Sequence, residues 1–211
     1  MPDHRPLPRL IAVSDRRALP SGWEPWLAAL AAAAIDGLQV REKDLPDRAL
    51  CELAAQSRIK LPAASLIVNG RADVALAAGA DGAHLPADGV PLRRLRERFG
   101  DALLLGKSTH GLAEVEAARE QGADYVTFGP VFATPSKEAH GPPLGLEALR
   151  RATAAEIPVY ALGGVSAERL SEVAAAGAAG AAGIRMFFDP AGLPALAARA
   201  RALFGGGGAA R

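Results

Sequence analysis

The sequence predicts a closed parallel (β/α)₈ barrel, the TIM-barrel class, and three observations carry that prediction. The first is alternation. Short apolar runs alternate with helical stretches about eight times, the pattern of a parallel sheet with crossover helices. The second is length. With 211 residues the chain suits one domain with one core, and eight such units fit a compact barrel. The third is where the polar residues fall. Arg41 and Lys43, Asn69, Asp88, Ser108 and His110, Thr134 and Lys137, Gly163 and Gly164, and Arg185 all follow the carboxyl ends of predicted strands. Barrels of this kind carry their sites at that face. A doubly wound open sheet would bind at one switch point and would not need chemistry after nearly every strand.

Taken in order, Leu10–Val13 is the first strand and ends in Ser14-Asp15-Arg16-Arg17. Trp23–Ala34 reads as an alanine-rich helix with Leu27 and Leu30 on one face. Ile35–Val40 is the second strand, and Asp47–Arg58 is a helix with Leu50 and Leu53 spaced to face a core. Ala64–Val68 is the third strand and leads into Asn69-Gly70-Arg71; the helix Ala72–Ala78 after it is stopped by Gly79. Gly82–Leu85 is the fourth strand, Leu92–Phe99 a helix, and Ala102–Leu105 the fifth strand, ending in Gly106-Lys107-Ser108-Thr109-His110. The helix Leu112–Gln121 stops at Gly122. Tyr125, Val126, Thr127 and Phe128, aromatic or β-branched, make the sixth strand. Pro158–Leu162 is the seventh strand, Ala167–Ala176 a helix stopped by Gly177, Gly180–Ile184 the eighth strand, and Leu193–Phe204 the closing helix. The whole of 1–211 is thus expected to be one domain, with its core at about 9–204 and a flexible glycine-rich tail at 205–211.

Composition narrows the function. The chain is 50% hydrophobic and 22% charged, with a formal net charge of +1, which argues against nucleic acid as the main partner. The lone Cys51 excludes an internal disulfide and a cysteine-cluster metal site, and reads as a small buried helix residue. Met1–Pro8 lacks the apolar core of a signal peptide, and no apolar run is long enough to span a bilayer. The expected location is the cytoplasm, with no membrane partner. A homo-oligomer is left open.

Three stretches carry candidate chemistry. Alternation puts Gln39, Arg41 and Lys43 on one side of a strand end, where three donors aimed at one point suit a phosphate or diphosphate. A solvated strand end with ion pairs is the other reading of that stretch. Gly163-Gly164, followed by Val165-Ser166 and by Arg185 after the next strand, fits the phosphate cradle that the last two loops of such barrels build; a tight turn would use the same glycines. The long loop after Phe128 carries Thr134, Ser136 and Lys137, and a lysine there suits closure over a diphosphate leaving group. His110, beside Ser108, suits acid–base work or hydrogen bonding. His84 sits in an apolar setting and reads as a packed histidine, while His4 and His140 belong to no pattern. Without a histidine cluster or paired carboxylates, zinc is not expected; Mg²⁺ carried by a diphosphate is compatible with the sequence.

Together these motifs resemble the thiamine-phosphate synthase family and its sister group, the thiazole tautomerases, over about Leu10 to Pro190. Gln39-Val40-Arg41-Glu42-Lys43 is similar to the family's Gln-Leu-Arg-Glu-Lys element, and Asn69 through His84 and Leu85 resembles its Asn-Asp…Ala-Asp-Gly-Val-His-Leu stretch. Ser108-Thr109-His110 matches its Ser-x-His strand end. Gly129-Pro130-Val131-Phe132 with Thr134 and Lys137 matches its Gly-Pro-(Ile/Val)-Phe-x-Thr-x-x-Lys loop, and Ala161-Leu162-Gly163-Gly164-Val165 its phosphate loop.

The resemblance implies that 4-amino-2-methyl-5-hydroxymethylpyrimidine diphosphate loses pyrophosphate with Mg²⁺ help. The thiazole nitrogen of a thiazole (carboxylate) phosphate then attacks the stabilised methylene cation. It implies that Gln39, Arg41, Lys43 and Asn69 hold the pyrimidine diphosphate. Ser108, Thr134 and Lys137 would hold the pyrophosphate and the substrate junction, and Gly163, Gly164, Ile184 and Arg185 the thiazole phosphate site. The chain departs from the family in three places. Gly70 stands where the family has Asp. Pro86-Ala87-Asp88-Gly89 replaces Gly-Gln-(Glu/Asp)-Asp, which leaves Asp88 one position before the metal-binding Asp. Arg185 replaces a small residue. Asp73 would help hold a metal only if its helix turned inward. The lost acidic residues fit a metal-independent tautomerase with His110 as proton shuttle, and a binding-only homologue is the third reading.

Overall fold

The computed structural model describes residues 6–134 and 142–205. Among the residues singled out above, His4, Ser136, Lys137 and His140 lie outside it, as does the tail expected to be flexible beyond Gly205. The elements run β1 Leu10–Val13, α1 Trp23–Ala32, β2 Gly37–Val40, α2 Asp47–Lys60, β3 Ser65–Asn69, α3 Ala72–Ala77, β4 Gly82–Leu85 and α4 Leu92–Phe99. They continue as β5 Leu104–Thr109, α5 Leu112–Glu120, β6 Tyr125–Phe128, α6 Gly145–Thr153, β7 Val159–Leu162, α7 Leu170–Ala175, β8 Gly180–Gly183 and α8 Leu193–Phe204. All eight strands pair in parallel and in chain order, and β8 returns to β1, so the sheet closes as the sequence predicts.

Alternation sorts each strand between two cores. Leu10, Ala12, Leu38, Val40, Leu66 and Val68 face outward and pack under the helices. Ile11, Val13, Ile67, Tyr125, Tyr160 and Ala182 fill the barrel itself. The ring is tied where it closes: Trp26 of α1 is buried and donates its indole N–H to the Phe187 carbonyl at 2.9 Å, in the 3₁₀ turn Arg185–Phe187 that follows β8.

At the barrel end opposite the candidate site one device is used three times. Asp36, just before β2, accepts the N–H groups of Arg9 and Leu10 at 2.9 and 3.0 Å and pairs with the Arg9 guanidinium. Asp81, just before β4, accepts the Leu66 N–H at 2.7 Å and pairs with Arg58. Asp124, just before β6, accepts the Leu105 N–H at 2.6 Å and pairs with Arg96. Each carboxylate thus ties the start of an even strand to the start of the odd strand before it. Ala179 holds the corresponding place before β8.

Some boundaries differ from expectation. β5 runs on to Thr109 instead of ending at Leu105, because Gly106 to Thr109 pair with β6 and Gly106 and Lys107 also pair with β4. Ser108 therefore stands on a strand, not after one. Asn69 is likewise the last residue of β3. The helix expected over Ala167–Ala176 starts as a 3₁₀ turn, Ala167–Arg169, before α7. No described helix is long and apolar enough to cross a membrane.

Candidate active site

Paired residues on parallel strands point to the same side of the sheet, so register identifies what faces the barrel axis. Gln39 pairs with Val13 and Ile67, which lie in the inner core, and is itself buried. Asn69 pairs with His84, and Ser108 with Thr127. Gln39, Asn69, His84, Ser108 and Thr127 thus form a polar layer above the apolar inner core. His84 Nε2 lies 2.9 Å from Ser108 Oγ and 3.4 Å from Thr127 Oγ1, and His84 Nδ1 lies 3.2 Å from the Tyr125 hydroxyl. Burial, with the Lys107 and Arg41 cations adding to it, pushes the His84 pKa down to about 3, so the ring is neutral.

Above β2, alternation ends with the strand. Arg41 is half-buried, and its charge reaches the inward-facing His84. Lys43 sits in an exposed turn past the strand end, so its direction follows that turn and not the strand alternation used to group it with Gln39 and Arg41. Glu42, between them, is buried and builds a clamp. Ser14 donates its hydroxyl to Glu42 at 2.6 Å, and the Arg16 N–H donates to both carboxylate oxygens at 3.1 and 3.2 Å. The Arg41 N–H in turn donates to Ser14 Oγ at 2.8 Å. Burial pushes the Glu42 carboxyl up, against the hydrogen bonds from Ser14 and Arg16 that pull it down. This clamp locks the loop after β1 to the loop after β2 and fixes where Arg41 leaves the sheet. Sequence reasoning missed it; the signal available was an acidic residue inside a basic strand end, with Ser14 at the end of the strand before.

The other side of the mouth belongs to β6, β7 and β8. Gly163 and Gly164 both have positive φ, +91° and +64°. They sit against the start of the loop after β6: the Phe132 N–H donates to the Gly163 carbonyl at 3.0 Å, and a Cβ on Gly164 would stand 2.6 Å from the Ala133 carbonyl oxygen. Among the described residues the N–H groups of Gly164 and Val165 donate to no acceptor, as an anion cradle requires. Arg169 steadies the turn by donating to the Gly164 carbonyl at 3.0 Å while its guanidinium lies 4.3 Å from the Phe132 ring centre. Ile184 packs on the inner core, and Arg185 is exposed at the start of the turn after β8. Thr134 is the last described residue before the gap in its loop.

His110 is exposed at the end of β5 and oriented from two sides. Its N–H donates to Glu114 at 2.7 Å, and its ring Nδ1 donates to the Gly129 carbonyl. Nε2 is therefore the nitrogen that can take or give a hydrogen bond at the rim.

The acidic positions are sparse. Asp88 is exposed on the loop after β4, and Lys107 lies near enough to feel its charge. Burial pushes the Lys107 ammonium pKa down, while Asp88 and Glu114 counter the shift. Asp73 does not turn inward: it is exposed and pairs with Arg71, which also binds Asp47. No three His, Cys, Asp or Glu residues among those described converge on a point. This donor set fits a Mg²⁺ brought in by a diphosphate and completed by one carboxylate, not a cage built by the protein alone.

Comparison with known proteins agrees with the geometry. The family profile described as thiamine monophosphate synthase matches residues 10–187. A thiamine-phosphate synthase of Anaeromyxobacter dehalogenans is 46% identical over 191 residues, covering 87% of this chain and 85% of the relative. One from Methanoculleus marisnigri is 46% identical over 160 residues, covering 74% of this chain and 76% of the relative. Among solved structures, the thiamine phosphate pyrophosphorylase from Pyrococcus furiosus superposes with a TM-score of 0.83 at 29% identity, covering 92% of this chain and 96% of that one.

Proposed function

The chain belongs to the thiamine monophosphate synthase family, and on that premise we propose that it joins 4-amino-2-methyl-5-hydroxymethylpyrimidine diphosphate to a thiazole phosphate with release of pyrophosphate. The methylene C–O bond to the diphosphate breaks, and the departing oxygen keeps the pair. The aminopyrimidine ring donates electron density to the cation left behind. The thiazole nitrogen then supplies the pair for the new C–N bond.

One observation carries the reading. A polar layer with Gln39, Asn69 and Ser108 and the N–H groups of Gly164 and Val165, unpaired among the described residues, lie at the same end of one barrel, so two phosphorylated substrates can meet between them. Gln39 and Asn69 orient the pyrimidine diphosphate, and Arg41 and Lys43 offset its charge. Ser108 and Thr134 hydrogen-bond the junction and the departing pyrophosphate, joined by Lys137 on the strength of the resemblance. Gly163, Gly164, Ile184 and Arg185 hold the thiazole phosphate. His110 presents Nε2 to the same mouth. Asp88 is the residue of this chain that would hold a Mg²⁺ carried by the diphosphate, and the ion would supply neutralisation of the leaving group. The protein's own share is positioning and electrostatic stabilisation, the two effects a dissociative substitution most needs. The chain acts as a single domain on small phosphorylated molecules in the cytoplasm.

The test is a pyrophosphate-release assay with both substrates, with and without Mg²⁺. Product formed only with Mg²⁺ is the expected result. No product in either condition would reject the synthase reading, and proton exchange on the thiazole would then test the tautomerase.

A further inference from the structure

We propose that Tyr125 sets the direction of the Ser108 hydroxyl through His84, so that Ser108 is an obligate hydrogen-bond donor to ligand. Tyr125 and His84 are positioning residues in this scheme; Ser108 is the group that touches substrate. The proposal rests on the reading above only in placing the ligand over Ser108.

The argument is one of matching donors to acceptors. Tyr125 OH, His84 and Ser108 form a chain with contacts of 3.2 and 2.9 Å, and His84 and Tyr125 are buried. His84 is held neutral, so one ring nitrogen carries hydrogen and the other is an acceptor. Burial keeps the Tyr125 hydroxyl protonated. Among the described residues that hydroxyl has no polar partner but His84. If Nδ1 carried the proton, it would donate to Tyr125, and the tyrosine's own proton would be buried without an acceptor, a cost that folded proteins avoid. With Tyr125 donating to Nδ1, the tyrosine proton finds its acceptor, and the hydroxyl proton left over is that of Thr127, whose 3.4 Å contact with Nε2 is the longest of the three. Nε2–H then donates to Ser108 Oγ, with Thr127 Oγ1 at 3.4 Å as a weaker second acceptor.

The Ser108 proton is thereby turned away from His84 and toward the mouth. His84 presents no acceptor to the serine and cannot serve as its general base, so this pair is not the start of a nucleophilic triad. Donation suits the oxygens of a phosphate or diphosphate, or an unprotonated ring nitrogen. The packing makes room for the chain of contacts by omission: a Cβ on Gly106 would overlap the Tyr125 ring and lie 2.5 Å from His84 Nδ1.

The test is the tautomer of His84 in ligand-free protein labelled with ¹⁵N-histidine. Long-range ¹H–¹⁵N spectra at neutral pH would be assigned by the signals lost in His84→Gln. The expected result is a protonated Nε2 and an unprotonated Nδ1. Protonation on Nδ1 would overturn the proposal whether or not the chain proves to be a synthase. Tyr125→Phe removes only the donor. It should change the His84 nitrogen shifts and lower kcat about tenfold, with KM changed less than about twofold. A variant with unaltered His84 shifts would show that Tyr125 acts only through packing, which also defeats the proposal.

Discussion

Gly70 and Gly89 stand where the resemblance leads one to expect carboxylates, and they differ in what they tolerate. A Cβ on Gly70 meets nothing within 4 Å, whereas one on Gly89 would stand 3.0 Å from Pro86. Gly70 has φ +76°, a region Asp enters at modest strain. Gly70→Asp should therefore fold with a loss of about 1 kcal/mol and lower the Mg²⁺ concentration needed for half-maximal pyrophosphate release; an unchanged metal titration would show that this position does not reach the metal. His84 gives the fold an acid sensitivity of its own. Its pKa falls from 6.5 to about 3 on folding, so across that window the unfolded chain takes up a proton that the folded chain refuses. The stability contributed at neutral pH is lost as pH drops below about 6.5, at a slope of at most about 1.4 kcal/mol per pH unit. His84→Gln should flatten this slope in urea titrations at a series of pH values between 7 and 4. None of this was legible from His84 alone. Its apolar neighbours in sequence indicate burial, but its partners lie 24 and 41 residues away and meet it only once the strands are in register.

At the scale of elements, the Glu42 clamp makes two loops one unit. Glu42→Ala would leave Ser14 and the Arg16 N–H without their acceptor, at a cost of about 1–3 kcal/mol. It would also free Arg41, so KM for the pyrimidine diphosphate should rise more than KM for the thiazole phosphate; equal changes in both would mean that the clamp serves the fold alone. Glu42→Gln tests the charge. Folding raises the Glu42 pKa above 4.5, so just above that pH the folded chain binds the extra proton and stability falls as pH rises. The glutamine variant should lack that fall. Strand β6 was readable because Tyr125 to Phe128 have strand propensity of their own. β5 was read short because Gly106, Lys107 and Ser108 do not; Gly106 and Lys107 are held extended by neighbours on both sides and Ser108 by β6 alone. The candidate residues of β2, β3 and β5 stood out in the sequence by their motifs. The direction of Lys43 was not, because it depends on where the strand ends.

For the whole molecule, closure and the site face were legible because alternation and the placing of polar residues are periodic along the entire chain. The opposite face was less so, since its aspartates precede strands instead of following them. Of the eight pairings in the closed ring, the odd–even pairs β1–β2, β3–β4 and β5–β6 are stapled by an aspartate and an arginine, and the remaining odd–even pair, β7–β8, has Ala179 in that place and a last strand of only glycine and alanine. The β7–β8 pair is thus a seam among those four, and the loops proposed to hold the thiazole phosphate follow its two strands. Amide hydrogen exchange should begin in β8 and leave the amides of β2, β4 and β6 protected longest. A phosphate seated on the Gly164 and Val165 amides would bridge the seam from above, so ligand should slow exchange in β8 more than in any stapled strand. A bound phosphorylated substrate would then act as the fourth staple, and its removal should leave β8 the first strand to exchange.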